Sequence, residues 1–159
     1  MRRLLFCLAL VVSLFCFWKA VSVDAAGNGK QQATPNKQQA SANPADSHGA
    51  FSIPVPEGSA AQQAAAVLPG CTVVGAFHHV SAVLLLDPEV GEFDLDVMVL
   101  GDDRHATDLV QALAERIPGV RGVYAGRLRN CGQVEALTCN LVSVNRRYKG
   151  HAGLRVTDI

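Results

Sequence analysis

The stretch that most constrains this chain is residues 71–86, where a β-branched apolar run meets two adjacent histidines and then a second apolar run. Pro69-Gly70 bounds it on one side and Asp87-Pro88 on the other. Cys71-Thr72-Val73-Val74-Gly75-Ala76-Phe77 is short, β-branched and closed off by turn residues, which reads as a buried strand. Ser81 stands at the N-cap position of a helix over Ala82-Val83-Leu84-Leu85-Leu86. That helix must end at Asp87-Pro88, because the residue before a proline avoids the α region. Phe77, His78, His79, Val80 and Ser81 are therefore predicted to form a strand-to-helix turn. In open α/β sheets such turns, at the carboxyl ends of strands, bind ligands, because free backbone N–H groups and a helix N-terminus face one crevice.

The same punctuation recurs along the chain. Phe51-Ser52-Ile53-Pro54-Val55-Pro56 is extended, since each residue before a proline is pushed out of the helical region. Ser59 and Gln62 have capping-box spacing for a helix running to Leu68, and its near-absence of polar residues predicts that it is largely buried. Residues 93–100 alternate and then become continuously apolar, as a strand does on entering a covered core. Asp103 is the predicted cap of a helix through Arg116, with Leu109, Val110, Leu113 and Ile117 inward and Asp108, Gln111 and Glu115 outward. Residues 120–125 read as a third strand. The longest helix follows, with Asn130 as cap, Gly150 as its C′ residue, and Val134, Leu137, Leu141, Val144 and Tyr148 as an apolar seam suited to the core or to a helix-pairing dimer interface. Residues 154–159 read as a closing strand or an extended tail. Strands alternating with helices specify an α/β unit.

Charge narrows the functional classes. The chain has 159 residues with 14 basic and 14 acidic side chains, so it has no global bias toward nucleic acid or a membrane surface. Its carboxylates nevertheless crowd between Asp87 and Asp108, and its cations between Arg116 and Arg155, where Glu135 is the one acidic residue. Met1-Arg2-Arg3 and the apolar run to Trp18 resemble a secretory signal, with small residues for cleavage near Ala25, so residues 1–25 are expected to be a signal-like or anchor segment. This predicts a secreted or membrane-anchored protein, or a cytoplasmic one if that start is misassigned. Residues 26–50, rich in Gln, Asn, Ala, Ser and Pro, read as a disordered linker. Residues 51–159 form the domain, which is small enough that a partner would help to cover its core. Beyond the leader the cysteines are Cys71, Cys131 and Cys139. The last two fall eight residues apart on one helix, roughly 12 Å at 1.5 Å per residue and beyond disulfide reach, a pattern of reducing compartments.

The candidate chemistry is sparse. His78 and His79 are adjacent on a chain leaving a strand, so they point to opposite faces and do not share one metal ion; no metal site is assigned. Cys131, near a helix N-terminus beside Arg129, could carry a lowered thiol pKa, but without a positioned base it reads as a packed thiol. Asp102-Asp103 reads as helix capping in preference to a metal or ribose contact. No G-x-G-x-x-G follows a strand, and G-x-x-x-x-G-K-[ST] is absent from the sequence.

Six blocks carry a family resemblance: Pro56-Glu57-Gly58-Ser59-Ala60-Ala61-Gln62, Gly75-Ala76-Phe77-His78-His79-Val80-Ser81-Ala82, Gly101-Asp102-Asp103, Ala125-Gly126-Arg127-Leu128, Val134-Glu135-Ala136-Leu137-Thr138 and Asn145-Arg146-Arg147-Tyr148-Lys149. In order and spacing they resemble the C-terminal half of the NADPH-dependent coenzyme F420 reductases. The resemblance implies a partial Rossmann-like three-layer unit lacking the N-terminal dinucleotide-binding half. It implies hydride transfer between NADP and a deazaflavin, coenzyme F420, stacked in a cleft between a Rossmann part and this one. Phe77, His78, His79, Val80 and Ser81 are then the cofactor-binding residues, with His78 and Val80 as ring contacts, and the NADP site is largely missing. No catalytic residue is implied, since the cofactors hold the redox chemistry and proximity supplies the rate. The implied partners are the small-molecule cofactors and either a second copy of the chain or a separate Rossmann-domain protein. A non-catalytic, secreted or anchored ligand-binding or dimerisation module is the alternative.

Overall fold

The computed structural model of the chain describes residues 7–12, 45–46 and 49–159. A four-stranded mixed sheet has the order β1-β4-β5-β6, with β1 at Cys7–Val12, β4 at Cys71–Ala76, β5 at Leu95–Gly101 and β6 at Val120–Gly126. Between β1 and β4 come the two-residue strands β2 (Ala45–Asp46) and β3 (Gly49–Ala50), which pair antiparallel with each other, and helix α1 (Ala60–Val67). Helix α2 (Ala82–Leu86) joins β4 to β5, and α3 (Arg104–Ala114) crosses over between the parallel strands β5 and β6. A 3₁₀ turn, Leu128–Asn130, leads into α4 (Cys131–Tyr148).

The predicted elements of residues 51–159 form close to where the sequence puts them, and alternation along the strands builds two cores. On one face Val74 and Ala76 of β4 pack with Val97 and Val99 of β5 and with Ala106, Val110 and Ala114 of α3. On the other, Val73 and Leu100 meet Ala61 of α1 and Cys131 and Val134 of α4. Helices on both faces of a sheet make the predicted three-layer α/β unit. Six residues inside the stretch expected to be a leader pair in parallel with β4, Cys7 opposite Cys71 through Val12 opposite Ala76. The remainder of that stretch, and all of the expected linker except 45–46 and 49–50, lie outside the described residues.

Three faces differ from expectation. In α3 the sheet-facing residues are Ala106, Thr107, Val110 and Ala114, whereas Leu109 and Leu113 are half exposed. The reason is separation: a Cβ on Gly122 of β6 would stand 2.5 Å from the Cα of Gln111, so the helix lies against the strand and only small side chains fit between them. Of α1 only Ala61 is fully buried, and Val67 and Leu68 are exposed. In α4 the buried set is Cys131, Val134, Thr138 and Cys139; Val144 and Tyr148 of the predicted seam are exposed. Lys149, with φ 57°, takes the left-handed position at the end of α4 that the sequence assigns to Gly150.

Candidate functional site

Ser59, whose hydroxyl accepts from the Gln62 amide at 3.0 Å, starts α1 as predicted, and the carboxylate of Glu135 on α4 accepts from the next two free amides, those of Ala60 (2.9 Å) and Ala61 (3.2 Å). Glu135 thus supplies the negative charge that a helix N-terminus favours and ties α1 to α4. Its Oε1 lies 3.6 Å from His78 Nε2. This helix junction forms one wall of the turn after β4.

The turn begins with strain. Phe77 has φ 62°, a left-handed conformation that costs a bulky residue of order 1 kcal/mol or more and persists only where surrounding packing enforces it. Here the ring is buried in the α3-side core, and the Val80 amide closes the turn on the Phe77 carbonyl at 3.3 Å. The reversal drives both imidazoles inward, each only 3% exposed, and to different partners, as adjacent side chains leaving a strand must go. His79 Nε2 accepts from the Met98 amide at 3.2 Å, so its proton resides on Nδ1. His78 sits over Gly75, where an added Cβ would stand 3.1 Å from His78 Cε1 and 2.5 Å from Cys131 Sγ. The Thr138 hydroxyl donates to the His78 carbonyl at 3.0 Å. Burial pushes both histidines down from 6.5 to about 4, so both rings are neutral at pH 7. Among the described residues, both ring nitrogens of His78 and Nδ1 of His79 find no hydrogen-bond partner.

Of the five predicted site residues, then, Phe77, His78 and His79 form the buried base of the turn, while Val80 and Ser81 reach its surface. Ser81 occupies the N-cap position of α2 but makes no side-chain cap; its hydroxyl meets His151 Nδ1 at 3.2 Å. The two residues are 70 positions apart, so no local spacing in the sequence shows this contact. A second correction concerns the crevice. Because β4 is antiparallel to β5, with Val74 opposite Gly101, the turn lies beside the amino-terminal half of β5 and away from the carboxyl ends of β5 and β6.

At those carboxyl ends is a cavity of about 380 Å³, lined among others by Gly101, Asp102, Thr107, Tyr124 and Arg127. Asp103 caps α3 beside it, accepting from the Ala106 amide at 2.8 Å, as predicted. Asp102 lies 3.9 Å from Arg127. Cys131 is no activated thiol: burial, and then the nearby Glu135 carboxylate, push it up to about 12. Among the described residues no three His, Cys, Asp or Glu side chains converge on a metal position, and no helix is long and apolar enough to cross a membrane.

One buried charge escaped the sequence reading. Asp96 of β5 is fully buried, and the Arg121 guanidinium donates to both its oxygens at 2.7 and 2.6 Å. The Arg155 guanidinium (3.1 Å) and the Val156 amide (2.7 Å) complete its shell. The hydrogen bonds to Arg121 hold its carboxyl well below the usual carboxylate range. The signal was present in an aspartate within an apolar strand and an arginine at a matching position of the next one.

The F420-dependent NADP reductase of Methanothermobacter marburgensis is 40% identical over 106 residues, covering 65% of this chain and 47% of the relative. That of Methanothermobacter thermautotrophicus is 41% identical over 107 residues (65% and 45%), and that of Methanocaldococcus jannaschii 36% over 105 residues (65% and 47%). The matched residues are homologous to part of the F420-dependent NADP reductases. The chain spans a little under half the length of these relatives. A crystal structure from Arthrobacter sp. FB24, provisionally named an F420-dependent NADP-reductase, shares the fold with a TM-score of 0.59 at 20% identity, over 69% of this chain and 50% of that one. No family model matches the chain.

At the turn Val80 offers partly exposed apolar surface and Ser81 and His151 offer polar atoms, chemistry that a planar heteroaromatic group would fit, while the orphaned imidazole nitrogens are buried, where an unfilled donor or acceptor calls for a ligand or water. Among the described residues no glycine-rich loop after a strand is present to hold a dinucleotide pyrophosphate.

Proposed function

We propose that this chain is the deazaflavin-binding part of an oxidoreductase that moves hydride between NADP(H) and coenzyme F420. The observation that supports it best is the strained turn at Phe77, which lies within a chain homologous to proteins named F420-dependent NADP reductase and holds neutral, partly unsatisfied histidines under a small accessible surface. A bound deazaflavin supplies the carbon that gives or takes the hydride, so the chain contributes placement and dryness. Val80 would give the ligand apolar contact, Ser81 would give it a polar one, and neutral His78 and His79 would keep the base of the site free of charge that draws in water.

The dinucleotide half of the site would then come from a Rossmann domain outside residues 51–159. The outward seam of α4, with Val144 and Tyr148 exposed, supports a docking role for that helix. A leader-type address for residues 1–25 accords with their composition. The alternative reading is a non-catalytic ligand-binding or dimerisation module. Titration of the full chain with F420, and with F420 plus NADPH, separates the two. Binding together with deazaflavin reduction when a Rossmann-domain partner is added supports the oxidoreductase; binding with no reduction under any pairing supports the module.

A further inference from the structure

After α4 the chain does not leave the domain. Lys149 turns it in the left-handed conformation, the Ala152 amide donates to the Asn145 side chain, and His151 meets Ser81. The chain then runs alongside the start of β5: the Asp96 amide donates to the Leu154 carbonyl at 2.7 Å, the Val156 amide donates to Asp96 Oδ2 at 2.7 Å, and Arg121 Nη2 donates to the Val156 carbonyl at 2.7 Å. Arg155 adds ion pairs to Asp96 at 3.1 Å and to Asp94 at 3.0 Å. A side chain on Gly153 would press on Leu95, its Cβ 3.0 Å from that of Leu95, so the strap lies close on the strand. Segment 150–156 is therefore a strap with one end on α4 and the other clamped by a buried carboxylate, and it meets the candidate turn through the His151–Ser81 hydrogen bond.

We infer that His151 is a further ligand-binding residue of the turn, and that Asp96 is the positioning residue that holds it there. The inference rests on the deazaflavin reading above. When Ser81 donates to Nδ1, the tautomer with its proton on Nε2 is the one selected, and the exposed ring then presents a donor beside Ser81. The chemistry it recognises is an acceptor, such as a ring carbonyl or nitrogen, on the edge of a planar heteroaromatic. Asp96 cannot touch that ligand. It is buried among Arg121, Arg155 and Val156, and acts only through the strap.

The test uses the full chain in five forms: wild type, Ser81→Ala, His151→Ala, Asp96→Asn, and His151→Ala combined with Asp96→Asn. Three readouts are taken: the His151 Hε1 resonance, cleavage by trypsin after Arg155, and affinity for F420. The expected result is that Asp96→Asn shifts the His151 resonance as Ser81→Ala does and speeds cleavage. Asp96→Asn and His151→Ala should each weaken F420 about tenfold, the loss of roughly one hydrogen bond, without adding when combined. Should Asp96→Asn prove unfolded by circular dichroism, Arg155→Gln, which loosens the clamp while leaving the Asp96–Arg121 pair, takes its place with the same expectations for the His151 resonance and the F420 affinity, cleavage then being read after Lys149. An unmoved His151 resonance on loosening the clamp overturns the strap. A released strap with unchanged F420 affinity overturns the role of His151. Failure of wild type to bind F420 overturns the functional reading instead, and the resonance and cleavage data then decide the strap by themselves.

Discussion

His78 and His79 are basic residues that the fold keeps neutral, and this makes stability depend on pH in a defined window. Their folded values, about 4, lie below the ordinary 6.5, so between those limits the unfolded chain binds more protons than the folded one. Stability is then fully present above pH 6.5 and is lost as pH falls toward 4, by on the order of 3 kcal/mol per histidine at 1.36 kcal/mol per unit. Asp96 works in the same direction at lower pH: its depressed value adds stability above the ordinary carboxylate range and loses it as pH falls further. Urea unfolding from pH 7.5 to 4.5 should show midpoints falling steeply below 6.5, and His79→Gln should flatten that slope; a pH-independent midpoint would sink the burial argument. Phe77 carries the other residue-scale lesson. A sequence shows that a phenylalanine is apolar, but not that packing will hold it at φ 62°, because that strain depends on contacts from α3 and β5 that local pattern does not contain.

At the scale of elements, the boundaries of the strands and helices in residues 51–159 were legible because breakers, caps and periodicity agree: Ser59, Asp103 and Pro88 each act where their chemistry says. The faces were less legible. An apolar stripe of Leu109 and Leu113 looks like the core side of α3, yet the close approach at Gly122 reserves that side for alanines and Val110. Two measurements check this. Gly122→Ala should destabilise by roughly 1–3 kcal/mol through overpacking, and Val110→Ala by about 1–3 kcal/mol through a cavity, both read by thermal unfolding. Leu109→Gln should change stability by less than about 0.5 kcal/mol, as exposed substitutions do. A large loss for Leu109→Gln beside a small one for Val110→Ala would restore the face expected from the sequence. The candidate site was half legible: five consecutive residues mark the turn, but His151 and Asp96 join it through hydrogen bonds spanning 70 and 60 positions, which no local spacing shows.

Among the described residues the three-layer unit leaves apolar side chains exposed in two separate places, Val144 and Tyr148 on α4 and Leu109 and Leu113 on α3. Exposed apolar residues one turn apart, as on α4, suit an interface. Sedimentation of the full chain should show self-association that Tyr148→Asp weakens while the circular dichroism spectrum is kept; a monomer at all concentrations would assign the surface to a different partner. The central claim is that the turn built from Phe77, His78, His79, Val80 and Ser81 binds a deazaflavin without help from a dinucleotide site. Equilibrium titration of the full chain with F420 and, separately, with NADP tests it most directly. The account predicts saturable F420 binding that a Val80→Asp substitution abolishes, with no saturable binding of NADP. Tight binding of NADP, or F420 binding indifferent to Val80→Asp, would contradict it.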